Sequence, residues 1–290
     1  MAVITSVEAS SSAPKATQPV RTRRRKLPSL ATLWSTVWRP LALVVALIAA
    51  WWAVTKFELV EPYILPSPAD TWRTTVDNST YLLENTWVTT YETVVGFVIA
   101  ALIGEAVALV MIYSRGIERT MYPLILFAQV IPKIAIAPLF IVWLGFGTSP
   151  KILVAVLMAF FPIVISGMAG LRSVDPEILE LTSTMGASNW KTFVKVRFPA
   201  SLPQLMSGLK IAATLAVTGA VVGEFVGANE GLGYVILQAN GNIDTAMLFA
   251  ALIIMSMLGI ILFAIIEIAE QFLIPWHASR RSTASVVGGA

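Results

Sequence analysis

Long apolar stretches alternate with short polar ones along most of this chain. Six of them, at about 41–57, 86–113, 121–144, 152–171, 203–226 and 246–266, suit the roughly 30 Å of a bilayer's hydrocarbon, which takes about 20 helical residues. The pattern predicts an all-α polytopic membrane protein with six transmembrane helices and both termini on one side. Residues 1–30, rich in Ser, Ala, Thr and Pro without apolar periodicity, are expected to be a disordered tail. The membrane domain is expected over 31–276, followed by a polar tail at 277–290.

Composition strengthens the membrane reading. Hydrophobic residues make up 57% of the 290 positions and charged ones 13%, with a mean hydropathy of +0.77. That is too little charge to cover a soluble domain of this size. Cysteine is absent and His277 is the one histidine, which excludes disulfides and thiolate metal sites and leaves no His-rich metal cluster. The first apolar stretch follows a basic run like a signal peptide's core, but Trp51 and Trp52 and the lack of a small-residue cleavage site favour a retained helix.

Basic residues set the orientation. With the N-terminus inside, the inner segments hold Lys15, Arg21, Arg23, Arg24, Arg25, Lys26, Arg39, Arg115, Arg119, Arg172, Lys191, Lys195, Arg197, Arg280 and Arg281, against Lys56, Arg73 and Lys151 outside. This is the positive-inside bias. It also explains the basic run before the first span as a cytoplasmic flank, so no nucleic-acid partner is expected.

Within the spans, Gly96, Ala100, Gly104 and Ala108 recur every four residues, giving one face on which another backbone can approach closely. Between spans, Pro62, Pro66 and Pro68 precede a short interfacial helix at 69–76, and Gly227, Gly231, Gly233 and Gly241 punctuate a loop that suits a short helix or re-entrant turn.

The loop after the fourth span, within 172–202, is too polar to cross a bilayer. Asp175 is a good N-cap, with Pro176 at the first helical position and Glu177 and Glu180 complementing the dipole. Ile178, Leu181 and Met185 fall on one helical face before Gly186. Ser188 caps a second helix with Trp190, Phe193 and Val194 opposite Lys191 and Lys195, expected to end at Pro199. Lipid, the chain's own helix ends, or a groove in a partner would each suit such a pair.

In order and spacing, Glu180, Gly186, Val196 and Pro199 resemble the EAA loop of binding-protein-dependent ABC importer permeases, although Leu181 and Thr182 stand where that motif usually has alanines. The segments ILPSP at 64–68, IPKIAIAPLFIVWLGFG at 131–147 and VVGEFVGANEGLGYVI at 221–236 resemble the nitrate/sulfonate/taurine-type branch of that family, and the resemblance covers about 41–274. It implies a type I ABC importer permease fold in a bacterial inner membrane. It also implies a homodimer, two cytoplasmic ABC ATPase subunits and an extracytoplasmic solute-binding protein. The coupling residues would be Asp175, Pro176, Glu177, Glu180, Gly186, Ala187, Val196 and Pro199. ATP and Mg would belong to the ATPase, so this chain is expected to be a transport subunit with no cofactor of its own. The nearest approach to a phosphate-binding loop, GFGTSPKI from Gly145, has Pro150 before Lys151 and Ile152 after it, and reads as an outer turn.

Charges at membrane depth are functional candidates. Glu105 and Lys133 lie near the middle of consecutive antiparallel spans. An ion pair that fixes helix register is the favoured reading, and a lysine that draws in an anionic substrate is the other. Gln129, Pro132 and Glu224 complete the candidate pathway, with Pro132 and Pro138 expected to bend span three. For Glu224, contact with the binding protein, a role in the outer gate, and a hydrogen bond to the adjacent loop stand side by side. Lys210 is expected to snorkel without a special role. The expected substrate is a small solute delivered by the binding protein, an anion such as nitrate, a sulfonate or an aromatic acid. Thiamine- or riboflavin-type vitamin precursors are the alternative. A secondary transporter fits less well, because it usually shows two related halves and needs no docking loop. An intramembrane hydrolase is disfavoured because no span carries His or Cys.

Overall fold

The structure, a computed structural model, describes residues 30–275, with side chains from 38. The basic run at 21–26, the expected tail at 1–30 apart from its last residue, and the C-terminal tail with His277, Arg280 and Arg281 lie outside the described residues. All regular structure among the described residues is helical: α1 (Leu30–Lys56), α2 (Pro68–Asp77), α3 (Ser79–Tyr113), α4 (Arg115–Val130), α5 (Ala137–Leu144), α6 (Thr148–Arg172), α7 (Pro176–Thr184), α8 (Asn189–Thr192), α9 (Phe198–Gly227), α10 (Leu232–Gly241) and α11 (Thr245–Leu273). The chain divides into two compact units, one ending at Val44 and the other beginning at Val45. The described part of the first is the N-terminal portion of α1, which carries Pro40. The second holds the bundle.

Five helices are long and apolar enough to cross a membrane, and a sixth crossing results if α4 and the segment Lys133–Leu144 are taken as one bent span. The bend is 75°, far sharper than the local curvature expected of span three. Ile131 is extended at φ −61°, ψ 129°, as the residue before a proline prefers. Pro132 is extended as well, and it brings no N–H to continue the ladder. One 3₁₀ turn, Lys133–Ala135, follows. Pro138 then lies in the first turn of α5, where a missing donor costs nothing. It starts a helix instead of bending one.

The centre of the bundle is built from small residues. α6 packs on α3 and α9, which also meet each other. Ala100, Ala159, Ala212, Ala216 and Ile163 are fully buried where the three converge. A Cβ at Gly104 would lie 2.9 Å from Ile163 Cγ2, and one at Gly219 would lie 2.7 Å from the Ala155 backbone. Lipid tails are as apolar as side chains, so close backbone approach and dispersion, rather than exclusion of water, hold such helices together. The Gly96 to Ala108 stripe faces α6 in this way.

At the other side of α9, α11 packs through Leu262 and Ile266, and α10 packs on α11 through Leu232, Val235 and Ile236. The Trp51 indole N–H donates to the Pro66 carbonyl, and its ring lies on Phe249.

Candidate functional site

The loop from Asp175 to Pro199 forms α7, a turn at Gly186 and the four-residue α8. The Asp175 carboxylate accepts the Glu177 N–H at 3.1 Å, and Pro176 opens α7. At the far end of α7 the Ala187 N–H reaches the Thr182 carbonyl and the Gly186 N–H reaches Ser183, each at 3.0 Å. These are the paired bonds of a Schellman turn, which requires a left-handed residue between them. Gly186 supplies it at φ +72°. Ser188 then caps α8, its hydroxyl accepting the Lys191 N–H.

The second helix does not end at Pro199. A π-helical turn, Phe193–Arg197, joins α8 to α9, so one helical run extends from Asn189 to Gly227. In that turn the Phe198 N–H bonds the Phe193 carbonyl. The wider winding takes up the mismatch that a proline ring and its missing donor would otherwise create. Val196 lies in the turn and Pro199 just inside α9. Phe193 sits among Trp190, Phe198 and Tyr113, with ring centroids about 6 Å apart, which ties the loop to the end of α3.

Apart from Phe193, which is half-buried against the end of α3, the apolar side chains expected on the two faces are exposed. Ile178, Leu181 and Met185 on α7 are 46%, 58% and 76% exposed, and Trp190 and Val194 are 68% and 43% exposed. Glu177, Glu180, Lys191 and Lys195 are exposed beside them, while Ala187 and Val196 are half-buried. A loop in this state can dock on another surface.

The pathway candidates do not form one constellation. Gln129 and Pro132 are exposed at the break in span three. The Lys133 ammonium donates to the Gln129 carbonyl at 2.8 Å and lies 5.0 Å from the Phe161 ring centre. It makes no ion pair with Glu105, because the break turns Lys133 back onto its own helix end. Both Glu105 oxygens are buried without a hydrogen-bond partner, close to Gly167. Lys210 departs from expectation too. It pairs with Glu270 at 2.6 Å and lies 5.5 Å from the Phe263 ring centre, joining α9 to α11.

Glu224 belongs to a buried polar cluster at the end of the bundle away from α7. Its carboxylate accepts the Thr89 hydroxyl at 2.6 Å and the Gly233 N–H at 2.5 Å. Thr89 Oγ1 accepts the Leu232 N–H, and Asn85 Oδ1 accepts the Gly231 N–H. The first N–H groups of α10, which has no capping side chain of its own, are thus satisfied by α3 and α9. A helix N-terminus also favours the negative charge placed there. Beside this, Lys151 of α6 forms an ion pair with Glu92 of α3, the two being 4% and 0% exposed.

Lys151 is therefore not the outer-loop surface charge expected. α6 begins at Thr148, which draws its first turn into the bundle. Sequence reasoning passed over Asn85, Thr89 and Glu92. The available signal was a run of polar residues at four- and three-residue spacing in the first half of α3, on the same face as Gly96.

A family model described as the binding-protein-dependent transport system inner membrane component matches residues 93–275. The formylaminopyrimidine transport permease of Halalkalibacterium halodurans is 38% identical over 227 residues, covering 78% of this chain and 91% of that protein. The riboflavin transport system permease of Chloroflexus aurantiacus is 34% identical, covering 85% and 92%. The putative aliphatic sulfonates transport permease of Bacillus subtilis is 30% identical, covering 82% and 87%. In fold, a chain of the inward-facing MetNI methionine ABC transporter superposes with a TM-score of 0.58 at 23% identity, covering 68% of this chain and 96% of that one. The chain belongs to the family of binding-protein-dependent transport system inner membrane components, the permease subunits of ABC importers.

Proposed function

We propose that the loop 175–199 is the socket for a separate ABC ATPase subunit, and that two copies of this chain form the translocation pathway of a bacterial importer. The observation that carries this is the exposed apolar face of α7 and α8 on a loop otherwise rich in charge. The excess of Lys and Arg on the same side as this loop supports a cytoplasmic location for it and for both termini. An extracytoplasmic solute-binding protein would deliver the substrate at the other end. Closure of the ATPase pair would then shift a two-state equilibrium through a rigid elbow at Gly186.

Leu181→Asp puts a charge in the centre of the docking face, where it would have to be desolvated against the partner. Co-purification of the ATPase from detergent should fall at least about tenfold, with membrane levels unchanged because Leu181 is exposed. Undiminished co-purification rejects the socket.

For the substrate, we favour a small heterocycle of the vitamin-precursor kind. The relatives above with 38% and 34% identity are named for formylaminopyrimidine and riboflavin. The Lys133 ammonium is also already held by the Gln129 carbonyl and the Phe161 ring. A sulfonate or other organic anion is the second reading, supported by the relative at 30% identity. Lys133→Met separates them in a proteoliposome uptake assay. Uptake stays near the wild-type rate for a heterocycle and drops severalfold for an anion that meets the ammonium.

A further inference from the structure

Beneath the loop, a cavity of about 510 Å³ opens between the ends of α3, α4, α6 and the start of α7. Ile112, Leu171, Val174, Pro176 and Leu179 form its apolar part. Its charged lining is Arg115, Arg119, Arg172 and Arg197 with one acid, Glu118. Glu118 is paired with Arg172. Among the described residues Arg115, Arg119 and Arg197 make no ion pair. The lining therefore carries a surplus of three guanidinium charges, drawn from α4 and the π-turn, beside apolar side chains at a membrane-boundary end of the bundle. Guanidinium groups present paired donors that match phosphate oxygens. A basic pocket between helix ends at that boundary has the composition that holds anionic lipid head groups.

We propose that this cavity binds a phosphate group, supplied by an anionic phospholipid of the adjacent leaflet or by a soluble phosphate anion. The cations hold the phosphate, and the apolar residues suit the glycerol and first methylenes when the source is a lipid. The occupant bridges α4 and α6 to Arg197 and so fastens the docking loop to the ends of the spans. This rests on the proposed function only in placing this end of the bundle at the cytoplasmic leaflet.

The test uses the full chain purified in detergent and measures bound phosphatidylglycerol by native mass spectrometry, with phosphatidylcholine and inorganic phosphate as separate arms. One cation near such a surface contributes about fivefold in affinity, so Arg115→Gln/Arg119→Gln should raise the Kd for phosphatidylglycerol about 25-fold. Glu118→Gln frees Arg172 and should lower it. Raised salt should weaken binding, because the cavity is open to solvent. Selective retention of phosphatidylglycerol with these shifts supports the lipid source, and a charge-dependent rise in thermal stability with inorganic phosphate alone supports the soluble one. No preference over phosphatidylcholine together with no response to phosphate overturns the site, as does binding unchanged by the three substitutions. ATPase co-purification is read on the same samples. Its retention without lipid binding rejects the cavity alone, and its loss with lipid binding intact rejects the docking reading alone.

Discussion

Lys151→Met is expected to destabilise the protein by about 3–5 kcal/mol, the usual cost of leaving one partner of a buried ion pair uncompensated. Glu92 is fully buried. Its carboxyl group has two ionisable neighbours, the Lys151 ammonium and the Glu224 carboxyl. Removing the ammonium leaves that carboxyl buried between α3 and α6, beside a second acid, Glu224, and without a counter-charge. Glu92 lies about one turn from Thr89 on α3, which carries part of the α10 clamp, so the loss should spread beyond the pair. The double variant Glu92→Gln/Lys151→Met should recover most of the stability, because an amide and a thioether ask much less of their surroundings than an unpaired charge. The measurement is the thermal unfolding midpoint in detergent for the single, double and wild-type proteins. A K151M protein with the wild-type midpoint, or a double variant as unstable as the single, would show that the pair does not hold α6 to α3.

Gly186→Val is expected to abolish coupling while sparing folding. A left-handed backbone costs a non-glycine residue about 1–2 kcal/mol, and β-branching makes Val a poor occupant. Nothing lies within 4 Å of a Cβ built at this position, so sterics with neighbours are not the cause. The chain relieves the strain by giving up the Schellman bonds from Gly186 and Ala187, and the angle between α7 and α8 is lost. ATP hydrolysis should continue in the reconstituted complex while transport falls by about tenfold or more, since a free-energy change of this size at a two-state element shifts it by about an order of magnitude. Gly186→Asn, which tolerates the left-handed region, should keep most of the transport. Equal transport by the Val and Gly proteins overturns the elbow.

The helices and the two-helix loop were legible because their signals are local. Asp175, Pro176, Gly186 and Ser188 each act on residues within one turn, and their caps and bonds appear where the spacing predicts them. The stripe from Gly96 to Ala108 was legible too, since helical period alone puts it on one face. What the pattern missed is non-local. Glu92 and Lys151 look unremarkable beside other charges near span ends, and only the packing of α3 on α6 makes them partners. Depth alone pairs Glu105 with Lys133, and this fails because Pro132 removes the straight helix that such a depth argument assumes. Pro199 reads as a stop for the reason it usually is one, and the π-helical turn before it is not visible in composition.

The clamp on α10 also fixes an order of events. A ten-residue helix is too short to persist by itself in water, and its first amide groups find their acceptors on Asn85, Thr89 and Glu224 rather than on a cap of its own. Those acceptors come together only after α3 and α9 have packed across α6. The segment from Gly231 to Gly241 is therefore expected to gain structure after α3 and α9 have packed, and to lose it when they part.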